Sequence, residues 1–265
     1  RTLNPRDGRF NQRDPIGYEG GGMNLYEYVQ SRPTAFTDPS GLGPYQIGTA
    51  PPPHPHGSFG QGYGSQTPDS DSRNWAGLVR LATRAALFRG WENASQHLQH
   101  YMGNTGTEYT IDAPELFTED ANAKALFFSE LNRAMAFVES KGAGRNRGMH
   151  IVSQTWDDGR TVGQTDWFYA VGSFRAYGGG PAEFLPNCEY KLDFTYRFDD
   201  PYDWHAGLAV TIAGVTITDD LMRHLHLTGL AKEFHMTGRY KKSVTWKKGQ
   251  RFDVNSGSLN SGGRG

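Results

Sequence analysis

Alternating apolar and polar positions are most regular in the second half of the chain. Between residues 189 and 198, Tyr, Leu and Phe side chains occupy every second position, and charged or hydroxyl-bearing residues occupy the positions between them. This period of two is typical of a half-buried antiparallel strand. Weaker versions of the pattern predict further strands at residues 151–155, 167–177, 208–217 and 233–246.

Helical spacing dominates the segment that precedes these strands. Asp69 and Asp71 are expected to cap a first helix. Its predicted apolar face carries Trp75, Leu78, Leu81, Ala82 and Ala85. After Gly90 the spacing continues to about Tyr101, as a second helix or as the same helix with a kink.

Two more helices are predicted further along the chain. Residues 119–140 place apolar side chains along one face, and Gly142 is expected to end this helix. A short helix is predicted at residues 219–230, with Thr218 or Asp219 as its cap. The fold class is therefore α+β: a helical part at 74–141, followed at 149–254 by an antiparallel β sheet or open barrel.

The domain organisation follows from changes in composition along the 265 residues. Residues 1–42 are rich in turn dipeptides and too short to bury a core alone, which indicates a remnant of a larger β structure. Residues 43–73 are rich in Pro, Gly, Ser and Gln, a composition typical of a flexible linker. Residues 74–265 are predicted to form a separate C-terminal domain.

The first segment closely resembles the C-terminal end of the RHS repeat-associated core domain. Five sub-motifs occur in order: residues 4–10, residues 13–17, residues 24–29, Pro33, and residues 38–42 with the sequence Asp-Pro-Ser-Gly-Leu. In that family the repeats build a hollow β shell around a toxin, and an aspartyl-protease-like reaction releases the toxin. The resemblance implies that residues 43–265 contain the effector of a polymorphic toxin.

The same resemblance implies the residues of the self-cleavage reaction. Asp14 and Asp38 would be the carboxylate pair, Arg13 a charge partner, and Leu42–Gly43 the bond that is cut. Two carboxyl groups held close cannot both ionise, so one can act as acid while the other activates water. The upstream RHS shell and an immunity protein are the expected partners. Because the chain starts at Arg1 without Met, we expect its targeting information to lie upstream.

Charge and cysteine content narrow the possible chemistry. The 27 basic and 28 acidic residues give a net charge of -1, which provides no overall field for nucleic acid. Cys188 is the single cysteine, so neither an internal disulfide nor a zinc site built from several cysteines is possible. No run of about 18 apolar residues predicts a membrane-spanning helix.

The densest group of reactive side chains follows the alternating strand, in the sequence Asp199-Asp200-Pro201-Tyr202-Asp203-Trp204-His205. An acidic turn closed by Pro201 is an equally good interpretation. The Asp200-x-Tyr202-Asp203 spacing resembles the catalytic motif of colicin M-like bacteriocins, which cleave lipid II with Mg²⁺. The resemblance implies that Asp203 is a base or metal ligand and that Asp200 assists with Mg²⁺. That family has a His-Arg pair soon after the motif, and here His226 would take the role of its histidine.

A basic and aromatic segment near the C-terminus favours a different class of effector. Arg239, Lys241, Lys242 and Trp246 are predicted to bind a substrate, so a nuclease or RNA-modifying toxin is the alternative to a hydrolase. The patch is equally compatible with anionic lipid headgroups. A pore-forming or binding cargo without enzymatic activity is the third possibility. We expect a secreted protein, or one delivered into a target cell, and favour the periplasm as its site of action.

Overall fold

The computed structural model describes residues 45–53, 59–141, 148–163, 165–204, 207, 209–212 and 214–260. Of residues 3–4, 9–10, 210 and 212 only the backbone is described. The self-cleavage residues Arg13, Asp14 and Asp38, and the Leu42–Gly43 bond, lie outside the described residues. Their roles stay predictions.

Six helices and eleven strands are assigned in the described residues. In chain order they are β1 (Leu3–Asn4), β2 (Arg9–Phe10), β3 (Tyr45–Ile47), α1 (Ser70–Phe88), α2 (Glu92–Met102), β4 (Tyr109–Thr110), α3 (Ala113–Glu119), α4 (Ala121–Ser140), β5 (Gly148–Ser153), β6 (Asp157–Arg160), α5 (Asp166–Ala170), β7 (Ser173–Phe184), β8 (Glu189–Tyr202), β9 (Ala209–Ile212), β10 (Val215–Thr218), α6 (Asp219–Leu227) and β11 (Phe234–Lys247).

The main sheet has seven strands and confirms the α+β class. Its order is β3-β5-β7-β8-β11-β4, with β6 also paired to β7. All of these pairs are antiparallel except the short parallel pair of β4 and β11. The centre of the sheet is the pair β8–β11, which is in register over 14 residues, from Phe234 opposite Tyr202 to Lys247 opposite Glu189.

The two faces of the sheet differ because side chains alternate along each strand. Even-numbered residues of β8 are mostly buried under α3 and α4, where Phe127 packs against Phe194 and Tyr196. Odd-numbered residues of β8 are half-buried and form the outer face. The strand predicted from alternation at residues 189–198 is therefore confirmed, and it extends to Tyr202.

Polar side chains cross the interface between α4 and the sheet. Tyr45 Oη donates to Glu130 Oε1 at 2.5 Å, and Arg133 forms ion pairs with both Glu130 and Asp157. Tyr196 Oη donates to Asp157 Oδ2 at 3.0 Å. All five residues are buried. Buried charges are costly unless they are paired, so this network fixes the position of α4 on the sheet.

The start of the segment predicted as a linker belongs to the sheet. Residues 45–47 are an edge strand in register with residues 151–153, and Tyr45 is only 1% exposed. The composition of residues 43–73 did not predict this strand, because the strand is anchored by one aromatic ring and one buried hydrogen bond and not by several apolar residues. Residues 59–66 also contact the folded domain, where Gly64 and Gln66 donate backbone hydrogen bonds to α6.

Several helix predictions are refined. The helix predicted at residues 119–140 is confirmed as α4, which starts two residues later because Asp120 caps it by accepting hydrogen bonds from the backbone of Asn122 and Ala123. The preceding helix α3 was not predicted. The segment after Gly90 is a separate helix, in agreement with one of the two alternatives. The short helix α6 is confirmed, with Thr218 as its cap.

Three other predictions were wrong in detail. Trp75, Leu78 and Leu81 are 40%, 40% and 61% exposed, because the buried face of α1 consists of smaller residues such as Val79 and Ala82. The strand predicted at 167–177 begins with the helix α5, which Thr165 caps. The strand predicted at 208–217 is the hairpin β9–β10.

Candidate functional site

The predicted Asp200-x-Tyr202-Asp203 motif lies at the end of β8. Asp200 and Tyr202 are even-numbered and so project from the helix-covered face, where Asp200 is opposite the buried Met236 of β11. Phe234 is opposite Tyr202 in the same pair of strands. Tyr202 is buried, whereas Asp200 and Asp203 on either side of it are half-buried.

The carboxyl group of Asp200 has an unusual proton affinity. Burial, and secondarily the negative charge of Asp203, raise the pKa of Asp200 to about 8, against which the positive charge of Arg175 acts only in part. A carboxyl group with this pKa keeps its proton through most of the neutral range. Asp200 is therefore suited to donate a proton rather than to accept one.

Tyr202 belongs to an aromatic cluster under the end of the sheet. Its ring is 4.7 Å from that of Phe234, 5.4 Å from Trp204, 5.9 Å from Tyr101 and 6.0 Å from His97, measured between centroids. Burial and then the charge of Asp219 raise the pKa of the Tyr202 phenol well above its usual value. The phenol is therefore a neutral hydrogen-bond donor at every physiological pH.

A cleft of about 690 Å³ opens beside this cluster. Apolar and aromatic side chains provide most of its lining, and a few polar residues join them. The lining residues include Trp91, Leu98, Phe168, Tyr169, Tyr202, Trp204, Ile217, Asn122, Arg160 and Asp219. An apolar cleft with a few convergent polar groups is the usual form of a small-molecule site. One residue of the predicted motif, Tyr202, thus forms part of its wall, together with Trp204, which follows the motif in sequence.

His97 is a titratable residue near this site that the sequence analysis missed. Its Nδ1 lies 2.7 Å from the carbonyl oxygen of Ala170, and its ring packs edge-on against Tyr109. Burial lowers the pKa of His97 to about 4. The imidazole is therefore neutral at pH 7, with the Nδ1 proton donated to Ala170. No pattern along the chain marks His97, because its role depends on contacts with α5 that are distant in sequence.

His226, the fourth predicted catalytic residue, is fully buried in a different environment. Its Nδ1 accepts a hydrogen bond from the backbone N–H of Glu233 at 3.1 Å, and the ring of Tyr63 covers it at 5.5 Å. The described contacts of His226 include neither Asp200, Tyr202 nor Asp203. The structure therefore brings together three of the four predicted residues.

The predicted substrate-binding residues divide between the two faces of β11. Arg239 and Lys241 are exposed on the outer face. Lys242 projects from the other face, where its ammonium group lies over the rings of Phe128 and Phe252. Trp246 is 1% exposed and donates to Glu139 Oε1 at 2.7 Å, so it cannot stack on a substrate from this position. The alternation of a strand separates residues that look adjacent in sequence.

Within the described ranges, no group of three or more His, Cys, Asp or Glu side chains is placed to hold a metal ion. Asp200 and Asp203 interact electrostatically, and a pair of carboxylates is the donor type through which Mg²⁺ is often held together with a phosphate of the substrate. Cys188 is exposed and free. None of the described helices has the length and apolar character needed to cross a membrane.

Comparison with known proteins does not assign a function to these residues. No protein-family model matches the chain, and no protein of curated function matches it in sequence. Any functional conclusion must therefore come from the chemistry of the site and from the sequence motifs.

Proposed function

We propose that this chain is the C-terminal part of an RHS-type polymorphic toxin, released by autoproteolysis after Leu42, whose effector domain is an interbacterial hydrolase. The proposed substrate is a lipid-linked phosphate ester such as lipid II, and the proposed site of action is the periplasm. The five ordered sub-motifs in residues 1–42 support the first part of this proposal. An upstream RHS shell and a cognate immunity protein are its proposed partners.

The observation that best supports hydrolase activity is the position of the motif beside the cleft. Tyr202 and Trp204 line an apolar cleft, and Asp200 and Asp203, which lie on either side of Tyr202 in sequence, interact electrostatically. A lipid-linked phosphate combines an apolar chain with an anionic group. The aromatic walls are suited to the chain, and Arg160 at the cleft supplies a positive charge for the anion.

The proposed role of Asp200 follows from its raised pKa, and that of Asp203 from its place in the motif. Asp203 accepts a proton from the attacking water, whose oxygen forms a bond to phosphorus as the P–O bond to the leaving oxygen breaks, and the protonated Asp200 gives its proton to that leaving oxygen. Tyr202 donates a hydrogen bond to the phosphate. In the alternative arrangement both residues would be ionised and would hold Mg²⁺, which would neutralise phosphate charge in place of proton transfer from Asp200.

Two experiments test this function. In the first, the chain is expressed in bacteria either in the cytoplasm or with an export signal. We expect lysis only when the chain is exported. Growth arrest on cytoplasmic expression would argue against an envelope substrate. The Asp203→Asn variant should lose about 10²-fold or more of its hydrolysis of lipid II in vitro. Asp71→Asn is the matched control, because Asp71 is an exposed aspartate in the first turn of α1 and is not among the charges that shift the pKa of Asp200. Equal activity of the two variants would remove Asp203 from the mechanism.

A nucleic-acid effector remains the second candidate, on the evidence of the outer sheet face. Arg197 is directly opposite Arg239, and Lys241 follows on the same face. Like charges in opposite positions destabilise a sheet, so the pair indicates an anionic partner. The guanidinium of Arg197 also lies over the ring of Tyr177, at 5.6 Å, which provides a stacking surface.

This alternative is tested by binding of a fluorescent single-stranded RNA. The double variant Arg197→Ala/Arg239→Ala should weaken binding about tenfold or more if the face holds phosphates. Lys191→Ala is the control, because Lys191 is on the same face but is paired with Glu183 and Asp193. Binding that is absent in the unsubstituted chain, or equal in all variants, would exclude this face as a nucleic-acid site.

A further inference from the structure

His226 and Glu233 form a buried pair between α6 and β11. The backbone N–H of Glu233 donates to His226 Nδ1, and His226 Nε2 lies 3.7 Å from Glu233 Oε2. Because Nδ1 accepts, the proton of the neutral imidazole is on Nε2. The side chains of the two residues are 0% and 2% exposed. The main chain thus fixes both the orientation and the tautomer of this histidine.

Two polar atoms of the pair have no hydrogen-bond partner among the described residues. They are the donor His226 Nε2 and the acceptor Glu233 Oε1. Arg223 approaches Oε1 only to ion-pair distance, at 3.6 Å. Buried polar atoms without partners are rare and costly, so a ligand that bonds to them would stabilise this position. A hydroxyl group has the chemistry to serve both atoms, because its oxygen can accept from Nε2–H and its hydrogen can be donated to Oε1.

The cover of this pair is a short glycine-rich segment, residues 59–66, here called the strap. Three of its backbone N–H groups bind the domain: Gly60 to Glu233 Oε2 at 3.1 Å, Gly64 to the carbonyl of His226 at 3.2 Å, and Gln66 to the carbonyl of Leu227 at 2.9 Å. The ring of Tyr63 lies on His226. Phe59 stacks on the ring of His235, and Lys232 lies over the ring of Tyr63. The strap is thus held by backbone hydrogen bonds and by two aromatic rings.

The backbone of the strap requires glycine at alternate positions. Gly60, Gly62 and Gly64 have φ values of +74°, +79° and +65°, a region that other residues adopt only at a cost. The Cβ of an alanine at position 62 would also lie 2.9 Å from Leu227 Cδ2. A single methyl group at position 62 therefore loosens the strap without altering His226 or Glu233.

We propose that His226 and Glu233 form a concealed site for a hydroxyl-bearing ligand, which the 59–66 strap opens and closes. In the closed state the strap separates the pair from solvent. In the open state Nε2–H and the carboxylate face a common space, with Arg223 at its edge. This proposal is independent of the hydrolase, because its test measures access to His226 and not activity.

Access is measured by treating the chain 1–265 with diethyl pyrocarbonate and following each histidine by fragment-ion mass spectrometry, which separates His226 from His224. His226 should react more slowly than the half-exposed His150. Gly62→Ala should raise the rate at His226 about tenfold, the effect of a cost of 1–2 kcal/mol on the closed strap. The rate at His150 should not change.

The matched control is Gly249→Ala. Gly249 has a similar φ of +84°, has no atom within 4 Å of an added Cβ, and lies outside the strap. An equal rise at His226 in both variants, or no rise in either, would overturn the gating. If Gly62→Ala unfolds the chain, amide hydrogen exchange of the unsubstituted protein decides: the amides of Gly64 and Gln66 must exchange faster than those of β8.

The ligand class is tested with glycerol as the probe. In the Gly62→Ala variant, glycerol at molar concentration should slow the labelling of His226 at least about twofold relative to His150 in the same sample. Equal slowing of both histidines would show that the opened pair does not bind a hydroxyl compound, and would overturn that part of the proposal.

Discussion

Replacement of Asp200 by asparagine should change how the stability of the fold depends on pH. Asparagine has the same shape but does not titrate. The unfolded chain releases the Asp200 proton near pH 3.8, whereas the folded chain keeps it until about pH 8. Between these values the unfolded state binds fewer protons, so folding stability falls as pH rises and levels off above pH 8.

The magnitude follows from the width of this interval. From pH 5 to pH 8 a difference of one proton acts over three pH units, at about 1.4 kcal/mol each, so the wild-type protein should lose about 4 kcal/mol relative to Asp200→Asn. Urea unfolding of both proteins at pH 5, 7 and 9 measures the difference. Parallel profiles, with a difference that changes by less than about 1 kcal/mol, would refute the conclusion that burial keeps Asp200 protonated.

Three further substitutions test the anchoring of β3, the pairing of β7 with β8, and the environment of His97. Tyr45→Phe removes the buried donor to Glu130 and should cost about 1–3 kcal/mol of unfolding free energy in urea; an unchanged midpoint would contradict the anchoring of β3. Gly180→Ala places a Cβ 2.0 Å from the carbonyl oxygen of Asp193 and should prevent correct pairing of β7 with β8, seen as loss of the native circular dichroism signal; a native spectrum would refute the close approach. The wild-type protein should lose about 3 kcal/mol of unfolding free energy as pH falls from 6.5 to 4, because only the unfolded histidine takes up a proton in this range. His97→Gln should remove this loss. A loss of the same size in both proteins would contradict the burial of a neutral imidazole.

The strands and helices that the sequence predicted well are those whose own side chains define a face. In β8, alternation extends from Glu189 to Phe198 and each buried residue is large, so the period of two is unambiguous. Local caps were also readable, because Asp69 and Thr218 bond to backbone groups three residues later. These features depend on neighbours in sequence, which is why one sequence suffices to find them.

The elements that the sequence did not predict depend on partners far along the chain. In α1 the large residues are outside and the small ones inside, since close helix packing favours alanine and valine at the contact. Size alone therefore indicated the wrong face. The strap and β3 were assigned to a linker for a related reason. Composition describes the average of a segment, whereas Tyr45 and Tyr63 bind through specific contacts with residues far along the chain, such as Glu130 and His226.

The same distinction between local and distant partners applies to the residues of the candidate site. Asp200, Tyr202 and Asp203 were identifiable because they are adjacent in sequence and costly to bury. His97 reaches the aromatic cluster through α2, and Asp219 reaches the cleft through α6, so neither could be assigned without the tertiary structure. His226 was singled out, but its described partner is Glu233, which the sequence pattern did not indicate.

The position of β3 constrains where the proposed effector can be cut from its proposed shell. The predicted bond follows Leu42, and Tyr45 begins the edge strand three residues later. A cut at that bond leaves the whole strand on the effector side. A cut only a few residues further on would remove Tyr45, and Glu130 would lose its hydrogen bond at the buried junction of α4 and the sheet. The loss of this buried hydrogen bond would lower the stability of the fold, and exposure of the new chain end would not compensate for it. The predicted self-cleavage and the observed edge strand are therefore compatible only if the bond lies before residue 45.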